Sequence, residues 1–341
     1  MQNRTAYLTQ PRKLEVRDSG MPQVKPGDLL IEIKHVGVCG SDLAGFISTG
    51  DMPYPVVLGH ECAGVVAGFG DDVKGFEIGD RVAIEPGYPC MKCEYCMTGR
   101  YNLCNEMNFM ACPPWEYSAL QRYISFPAMM CFKLPENVST MEGALVEPLA
   151  VGMHAATRAG ATVGKSILII GSGCIGLTTL LACKAHGVTN IYVADIFDIR
   201  LKKAKELGAK EIINSGETDL IERIMELTDK EGVDIVFEAA GNNKTAQLTQ
   251  FAVKKGGKIV IVGNVHGDVP LNLMRLASRE VDLIGIFRYR NLYPKSIEAI
   301  SSGLVDIKSI CTDIYDFENV QQGFDDAYER KMEVVKAVIE L

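Results

Sequence analysis

The sequence predicts an α/β protein of two parts, a β-rich first third and a doubly wound parallel sheet. Three observations carry this. Leu29-Leu30-Ile31-Glu32-Ile33-Lys34-His35-Val36 largely alternates apolar and polar residues, as a half-buried strand does. Glycines 64, 68, 70 and 79 and prolines 53, 55, 86 and 89 then cut the chain into short strands and turns, with little helical periodicity before about residue 140. From Ser166 onward, short apolar strands alternate with amphipathic helical stretches.

The strands expected in that second part are Ile167–Ile170, Ile191–Ala194, Glu211–Ile213, Asp234–Glu238, Ile259–Val262 and Leu283–Phe287. Between them lie helical segments such as Asp198–Leu207, with Asp198 as its N-cap, and Asn243–Val253. Six strands with intervening helices make a parallel sheet covered on both faces. A chain of 341 residues, nearly half hydrophobic, is long enough for two cores. The expected boundaries are residues 1–149 for the β-rich domain, 150–287 for the parallel-sheet domain and 288–341 for a segment that rejoins the first.

Charge excludes some partners. With 35 basic and 43 acidic residues the net charge is −8, and no Lys/Arg cluster reverses it locally. Nucleic acid is therefore not an expected partner, and a small diffusible ligand is. The uncharged stretch Ser166–Cys183 imitates a membrane span, but Gly171, Ser172, Gly173 and Gly176 interrupt it, so no membrane partner is expected. Met1-Gln2-Asn3-Arg4-Thr5 lacks the apolar core of a signal peptide, and the expectation is a cytoplasmic protein.

Gly171-Ser172-Gly173-Cys174-Ile175-Gly176 is a G-x-G-x-x-G turn between an expected strand and an expected helix. Glycine serves in turn the tight bend, the approach of backbone to a pyrophosphate and the helix–strand packing. The helix N-terminus offers free N–H groups and partial positive charge. Asp195 ends the next strand, about 20 residues on, where a carboxylate accepts from the adenosine ribose and repels a 2′-phosphate. The reading is NAD rather than NADP.

The chain has 11 cysteines, an odd number, in a long sequence without an export signal, which favours thiolate–metal ligation over disulfides. Cys90, Cys93, Cys96 and Cys104 follow the spacing C-x2-C-x2-C-x7-C and suit a closed, structural zinc tetrahedron. A second cluster, Cys39, His60, Glu61 and Glu147, comes from distant segments. Each member has an ordinary alternative: a lone Cys as a small core residue, a Glu at a helix start as a complement to the dipole. Spacing alone leaves both readings open. Cys62, Cys112, Cys131, Cys183 and Cys311 read as small buried hydrophobes.

Gly37-Val38-Cys39-Gly40-Ser41-Asp42, Gly59-His60-Glu61, Gly79-Asp80-Arg81-Val82, the four-cysteine lobe and Gly171-Ser172-Gly173 together resemble the zinc-dependent medium-chain dehydrogenases/reductases. Val146-Glu147-Pro148-Leu149-Ala150-Val151-Gly152 and Phe287-Arg288-Tyr289 resemble the sorbitol (L-iditol) dehydrogenase branch. The resemblance spans essentially the whole chain. It implies a GroES-like catalytic domain split around a Rossmann domain, two zinc ions per subunit and a homotetramer. It implies oxidation of a polyol such as sorbitol, xylitol or galactitol to a ketose, with hydride passing to NAD.

Carried over by position, Cys39, His60 and Glu61 match the catalytic zinc ligands, with Glu147 as a fourth or water-mediated ligand. Ser41 matches the hydroxyl that hands on the substrate proton. Gly171, Gly173, Ile175, Gly176, Asp195, Arg200, Val262, Gly263, Asn264, Ile286, Phe287 and Arg288 match cofactor contacts. Phe109, Arg288 and Tyr289 match positions that line the polyol pocket.

Two positions depart from the pattern. Relatives carry a relay histidine where this chain has Ala44, and animal sorbitol dehydrogenases a pocket tyrosine where it has Gly45, with Phe46 as the candidate replacement. Alternative substrates are a sugar-alcohol phosphate, which would want more cations than Arg288 and Arg290, or a short secondary alcohol. A non-catalytic dinucleotide binder would be expected to have lost the metal ligands, which this chain retains.

Overall fold

The computed structural model describes residues 2–50 and 52–341. The chain divides into two compact units. One comprises the residues up to Glu147 with Tyr293–Gly303 and Ile307–Leu341; the other comprises Pro148–Leu292 with Leu304–Asp306. Arg288 and Tyr289 thus belong to the second unit.

In the first unit, strand Asp28–Gly37 pairs antiparallel with Glu61–Phe69, Tyr123–Pro127 and the C-terminal strand Ala337–Glu340. Arg81–Ile84 and Cys131–Lys133 extend the sheet beyond Glu61–Phe69, and Asp313–Asp316 extends it beyond the C-terminal strand. Alternation places Leu29, Ile31 and Ile33 in the core, beside Val66, Val82, Ile84 and Phe126 from the neighbouring strands. The C-terminal segment joins this sheet rather than starting one of its own. Register matters for the site: Gly37 stands opposite both Glu61 and Val338.

The second unit holds a parallel sheet, six-stranded among the described residues. Its order is Glu211–Asn214, Asn190–Asp195, Ser166–Ile170, Val233–Glu238, Val253–Ile261 and Asp282–Gly285. All six expected strands are present, and the order reverses between Ser166–Ile170 and Val233–Glu238. Ile167, Leu168 and Ile169 show no exposure on either face, as a strand covered on both sides requires. Helices Cys174–Ala185, Asp198–Glu206, Leu220–Leu227 and Asn243–Ala252 connect the strands. Asp219 and Asn242 cap two of them, accepting from Ile221 and Glu222 N–H and from Lys244 N–H.

Three local expectations need correction. Asp198 is the first residue of its helix, not the cap; Phe197 holds the cap position, and the Asp198 carboxylate accepts from Asn214 Nδ2 at 2.8 Å. The fifth strand starts at Val253, so the preceding helix ends one residue early, and it stops at Ile261. The sixth ends at Gly285, leaving Ile286 and Phe287 in the following loop. Val262 and Phe287 therefore stand beyond strand ends, where ligands of such sheets bind.

The uncharged stretch Ser166–Cys183 is a strand, a turn and most of a helix. Among the described residues no helix is long and apolar enough to cross a membrane.

Candidate functional site

Two clusters of metal-ligating side chains form in the first unit. In the lobe, Cys93 precedes the short helix Glu94–Met97, and Cys104 follows the turn Tyr101–Leu103. Sulfur–sulfur separations of 3.5 Å for Cys93–Cys96 and 4.0 Å for Cys90–Cys96 bracket the edge of about 3.8 Å set by a tetrahedron of Zn–S bonds. Backbone N–H groups of Lys92 and Cys93 favour the Cys90 thiolate and lower its pKa below a free cysteine's range. The four thiols fit a closed zinc site.

Ligand atoms of Cys39, His60 and Glu61 also lie within 4.8 Å of one another. Cys39 immediately precedes the helix Gly40–Phe46, and His60 and Glu61 enter the neighbouring strand. Asp42, a residue given no role from sequence, holds the group together. Its carboxylate accepts from Cys39 N–H at 3.1 Å and Gly59 N–H at 3.0 Å, and one oxygen lies 3.4 Å from His60 Nδ1. With Nδ1 turned to Asp42, Nε2 is the nitrogen left as a ligand. Burial alone would depress the His60 pKa, but Asp42 and Cys39 raise it well above the usual value. The pocket thus attracts positive charge, as a cation site should.

Glu147 is buried in the first turn of helix Val146–Ala159 but is not part of this close group. Its charge, after burial, helps push Glu85 up to about 7, although the hydroxyl of Tyr101 donates to Glu85 at 2.7 Å. Phe109 packs against the His60 ring at a tilt, with centroids 5.6 Å apart. Ser41 is exposed on the first turn of its helix, and Ala44 is exposed on the same helix. Phe46 has no exposed surface and packs on Phe324 at 5.3 Å. It belongs to the core and cannot replace a pocket tyrosine.

A buried cation that sequence reasoning missed meets this cluster. Lys336 donates to both oxygens of Glu61 at 2.8 Å and to Val38 O at 3.0 Å. Its signal was present as a lone lysine inside the apolar run Val334-Val335-Lys336-Ala337-Val338-Ile339.

In the second unit, the three motif glycines do three different things. Gly171 has φ +99°, and a Cβ there would lie 2.7 Å from Ala240 N. A Cβ on Gly176 would overlap the Gly171 carbonyl oxygen. At Gly173 the nearest atom would be Arg200 Nη1 at 3.6 Å, so this position stays open for a ligand to approach. Ile175 and Arg200 are half-buried, with Arg200 stacked on Phe197 at 5.4 Å.

Asp195 accepts from Ser172 N–H at 2.6 Å, Ser172 Oγ at 2.8 Å, Ile196 N–H at 2.7 Å and Phe197 N–H at 3.1 Å. The carboxylate therefore ties the glycine turn to the end of the adjacent strand. Val262–Asn264 and Ile286–Arg288 follow the fifth and sixth strands. Gly263 crosses so near Gly241 and Glu238 that a side chain is excluded. Arg288 adopts φ +51° and covers Phe287 at 4.8 Å, and Tyr289 is buried. Cys62, Cys131 and Cys183 are buried as expected; Cys112 and Cys311 are only half-buried.

The comparisons with known proteins agree with this geometry. Residues 25–136 match the alcohol dehydrogenase GroES-like domain, and residues 174–302 match the zinc-binding dehydrogenase domain. The chain belongs to the zinc-dependent medium-chain dehydrogenases. It is 46% identical over its full length to the zinc-type alcohol dehydrogenase-like protein YdjJ of Escherichia coli K12, covering 99% of that protein. It is 41% identical to sorbitol dehydrogenase of Bacillus subtilis, over 98% of this chain and 96% of that one. A crystal structure of an E. coli dehydrogenase of unknown specificity superposes with a TM-score of 0.97 at 46% identity, over 100% and 99% of the two chains. This medium-chain dehydrogenase is thus an oxidoreductase of the polyol dehydrogenase branch.

Proposed function

We propose that the protein oxidises a free polyol to a ketose with NAD, using a catalytic zinc at Cys39, His60 and Glu61 and a structural zinc in the four-cysteine lobe. The observation that carries this reading is the close group of Cys39, His60 and Glu61, oriented by Asp42 and faced by Phe109. The sorbitol dehydrogenase relatives support the substrate class. Bound zinc would supply Lewis acidity at the substrate hydroxyl, and bound NAD a hydride acceptor.

The chain's own residues then divide the work. Asp42 fixes the His60 ring, so that one nitrogen faces the ion. Phe109 walls one side of that ring with an apolar face and keeps water from it. Ser41, two residues from Cys39, takes the hydroxyl proton; with alanine at 44 the next acceptor is water. Glu147, outside the close group, would serve as the fourth ligand through water. In the second unit, the open backbone at Gly173 receives the pyrophosphate, and Val262–Asn264 and Ile286–Arg288 receive the nicotinamide half past the strand ends. Asp195 rejects a 2′-phosphate by charge. A homotetramer remains our reading from the family resemblance.

The test is appearance of NADH from the zinc-replete protein, over a panel of polyols, polyol phosphates and simple alcohols, with NADP run beside NAD. Turnover of a free polyol that is lost in Cys39→Ser supports the reading. Turnover of phosphorylated substrates alone, or a preference for NADP, would replace it.

A further inference from the structure

We propose that Lys336 is a positioning residue for the catalytic metal: it holds the Glu61 carboxylate, balances its charge and so keeps the ion loosely bound and strongly electrophilic. This rests on the zinc reading of the Cys39 cluster. Three observations converge on it. Lys336 and Glu61 are 3% and 1% exposed, so water screens neither charge. The ammonium sits 2.8 Å from both carboxylate oxygens, so Glu61 cannot turn wholly to the ion without giving up one of these contacts. The same ammonium holds the Val38 carbonyl, the residue before Cys39, and thereby ties the segments of two ligands together.

Strand pairing brings the two groups together. Glu61 lies opposite Gly37 in the antiparallel pair, and any side chain at 37 would overlap Oε2. The C-terminal strand that delivers Lys336 is locked to the same glycine through Val338, and Val38 N–H donates to Ala337 O at 2.9 Å. Carboxylate and ammonium are therefore placed by strand register, not by the ion.

The charge count gives the consequence. A dication with the Cys39 thiolate, the Glu61 carboxylate and the buried Asp42 carboxylate behind His60 would leave the centre at −1. Adding Lys336 brings it to neutrality, which strengthens its pull on the electrons of a hydroxyl. The cost is weaker ion retention, because a cation is buried beside a cation.

The decisive comparison uses the zinc-loaded enzyme and Lys336→Met, with zinc loss to a chelator followed at the Cys39 site and Cys39→Ser, which keeps only the lobe ion, as baseline. Lys336→Met should retain that zinc at least about tenfold longer. The acid limb of its kcat profile on a polyol should move to higher pH, and Lys336→Arg should restore both. A merely structural tie would instead loosen the zinc and leave the limb in place, and that result, or unchanged retention, overturns the proposal. Since Lys336→Met leaves a buried carboxylate without its partner, Glu61→Gln is also compared with Glu61→Gln/Lys336→Met, where no lone buried carboxylate arises. Removing the lysine there should again lengthen retention about tenfold, and equal retention refutes the idea. Absence of any zinc beyond the lobe ion in the wild type would overturn the functional reading itself; zinc present but indifferent to position 336 would overturn only this inference.

Discussion

Substituting Asp195→Asn tests two roles of one carboxylate at once. Its oxygens accept four bonds, two from Ser172 and two from the main chain of Ile196 and Phe197. An amide has an acceptor on one side only. In its best orientation Oδ1 keeps Ile196 and Phe197, the NH2 group meets the Ser172 hydroxyl turned as acceptor, and Ser172 N–H is orphaned. Ser172 has no exposed surface, so that N–H costs about 1–3 kcal/mol, and the remaining bonds lose their charge assistance. The sum is about 3 kcal/mol, or roughly 6–12 °C in Tm for a domain of this size.

Discrimination between cofactors changes in the same variant. A carboxylate about 5 Å from a 2′-phosphate of charge about −1.5 is repelled by several kcal/mol at an effective dielectric of about 20, before salt screening. The ratio of kcat/KM for NAD over NADP should fall by about 100-fold or more. Thermal unfolding and the two cofactor titrations are measured on the same preparation. A Tm within about 2 °C of wild type would show that Asp195 does not hold the glycine turn, and an unchanged cofactor ratio would refute the charge argument.

The neighbouring glycines should separate folding from binding. Gly176→Ala, which overlaps the Gly171 carbonyl, should cost about 3 kcal/mol or more by thermal unfolding. Gly173→Ala, in open space, should leave Tm unchanged while raising the dinucleotide Kd at least about tenfold by fluorescence titration. Asp234 accepts from Lys254 at 2.7 Å, Lys165 at 3.1 Å and Ser166 N–H and Oγ at 2.9 and 2.8 Å. Burial opposes its ionisation, but these partners outweigh burial and hold its pKa below the usual carboxylate range. A depressed folded pKa contributes stability that is present above about pH 4 and lost as pH falls through the folded value. Asp234→Asn should therefore cost about 2 kcal/mol at pH 7, and its difference from wild type should shrink in denaturant titrations below pH 4. Zinc content should drop from two to one per chain in both Cys93→Ser and Cys39→Ser by metal analysis, with substantial turnover surviving only in the former.

Much of this molecule was legible in one dimension because the chemistry is local. The glycine turn needs its three glycines within six residues, since Gly171 and Gly176 answer close backbone contacts and Gly173 leaves the backbone open to a ligand. The lobe cysteines close on one another through a short helix and one turn. The six parallel strands showed as apolar runs because both faces of that sheet are buried.

Other features depended on distant partners and left weak traces. Phe46 is one residue from Gly45 and two from Ala44, and only the direction of a seven-residue helix decides that it meets Phe324 instead of a pocket. Asp198 has the right residue type for a cap, yet the turn from Asp195 puts Phe197 in that place. Glu147 shared the motif of a ligand, and in the first turn of helix Val146–Ala159 it stands outside the close group, a place compatible with the water-mediated role that the resemblance implies. Lys336 is nearly three hundred residues from Val38 and reaches it only through the register of the C-terminal strand on Asp28–Gly37. Spacing along a chain constrains what a few residues can do together. Which charge stands behind a ligand is decided by the pairing of strands, because burial and register are properties of the assembled sheet.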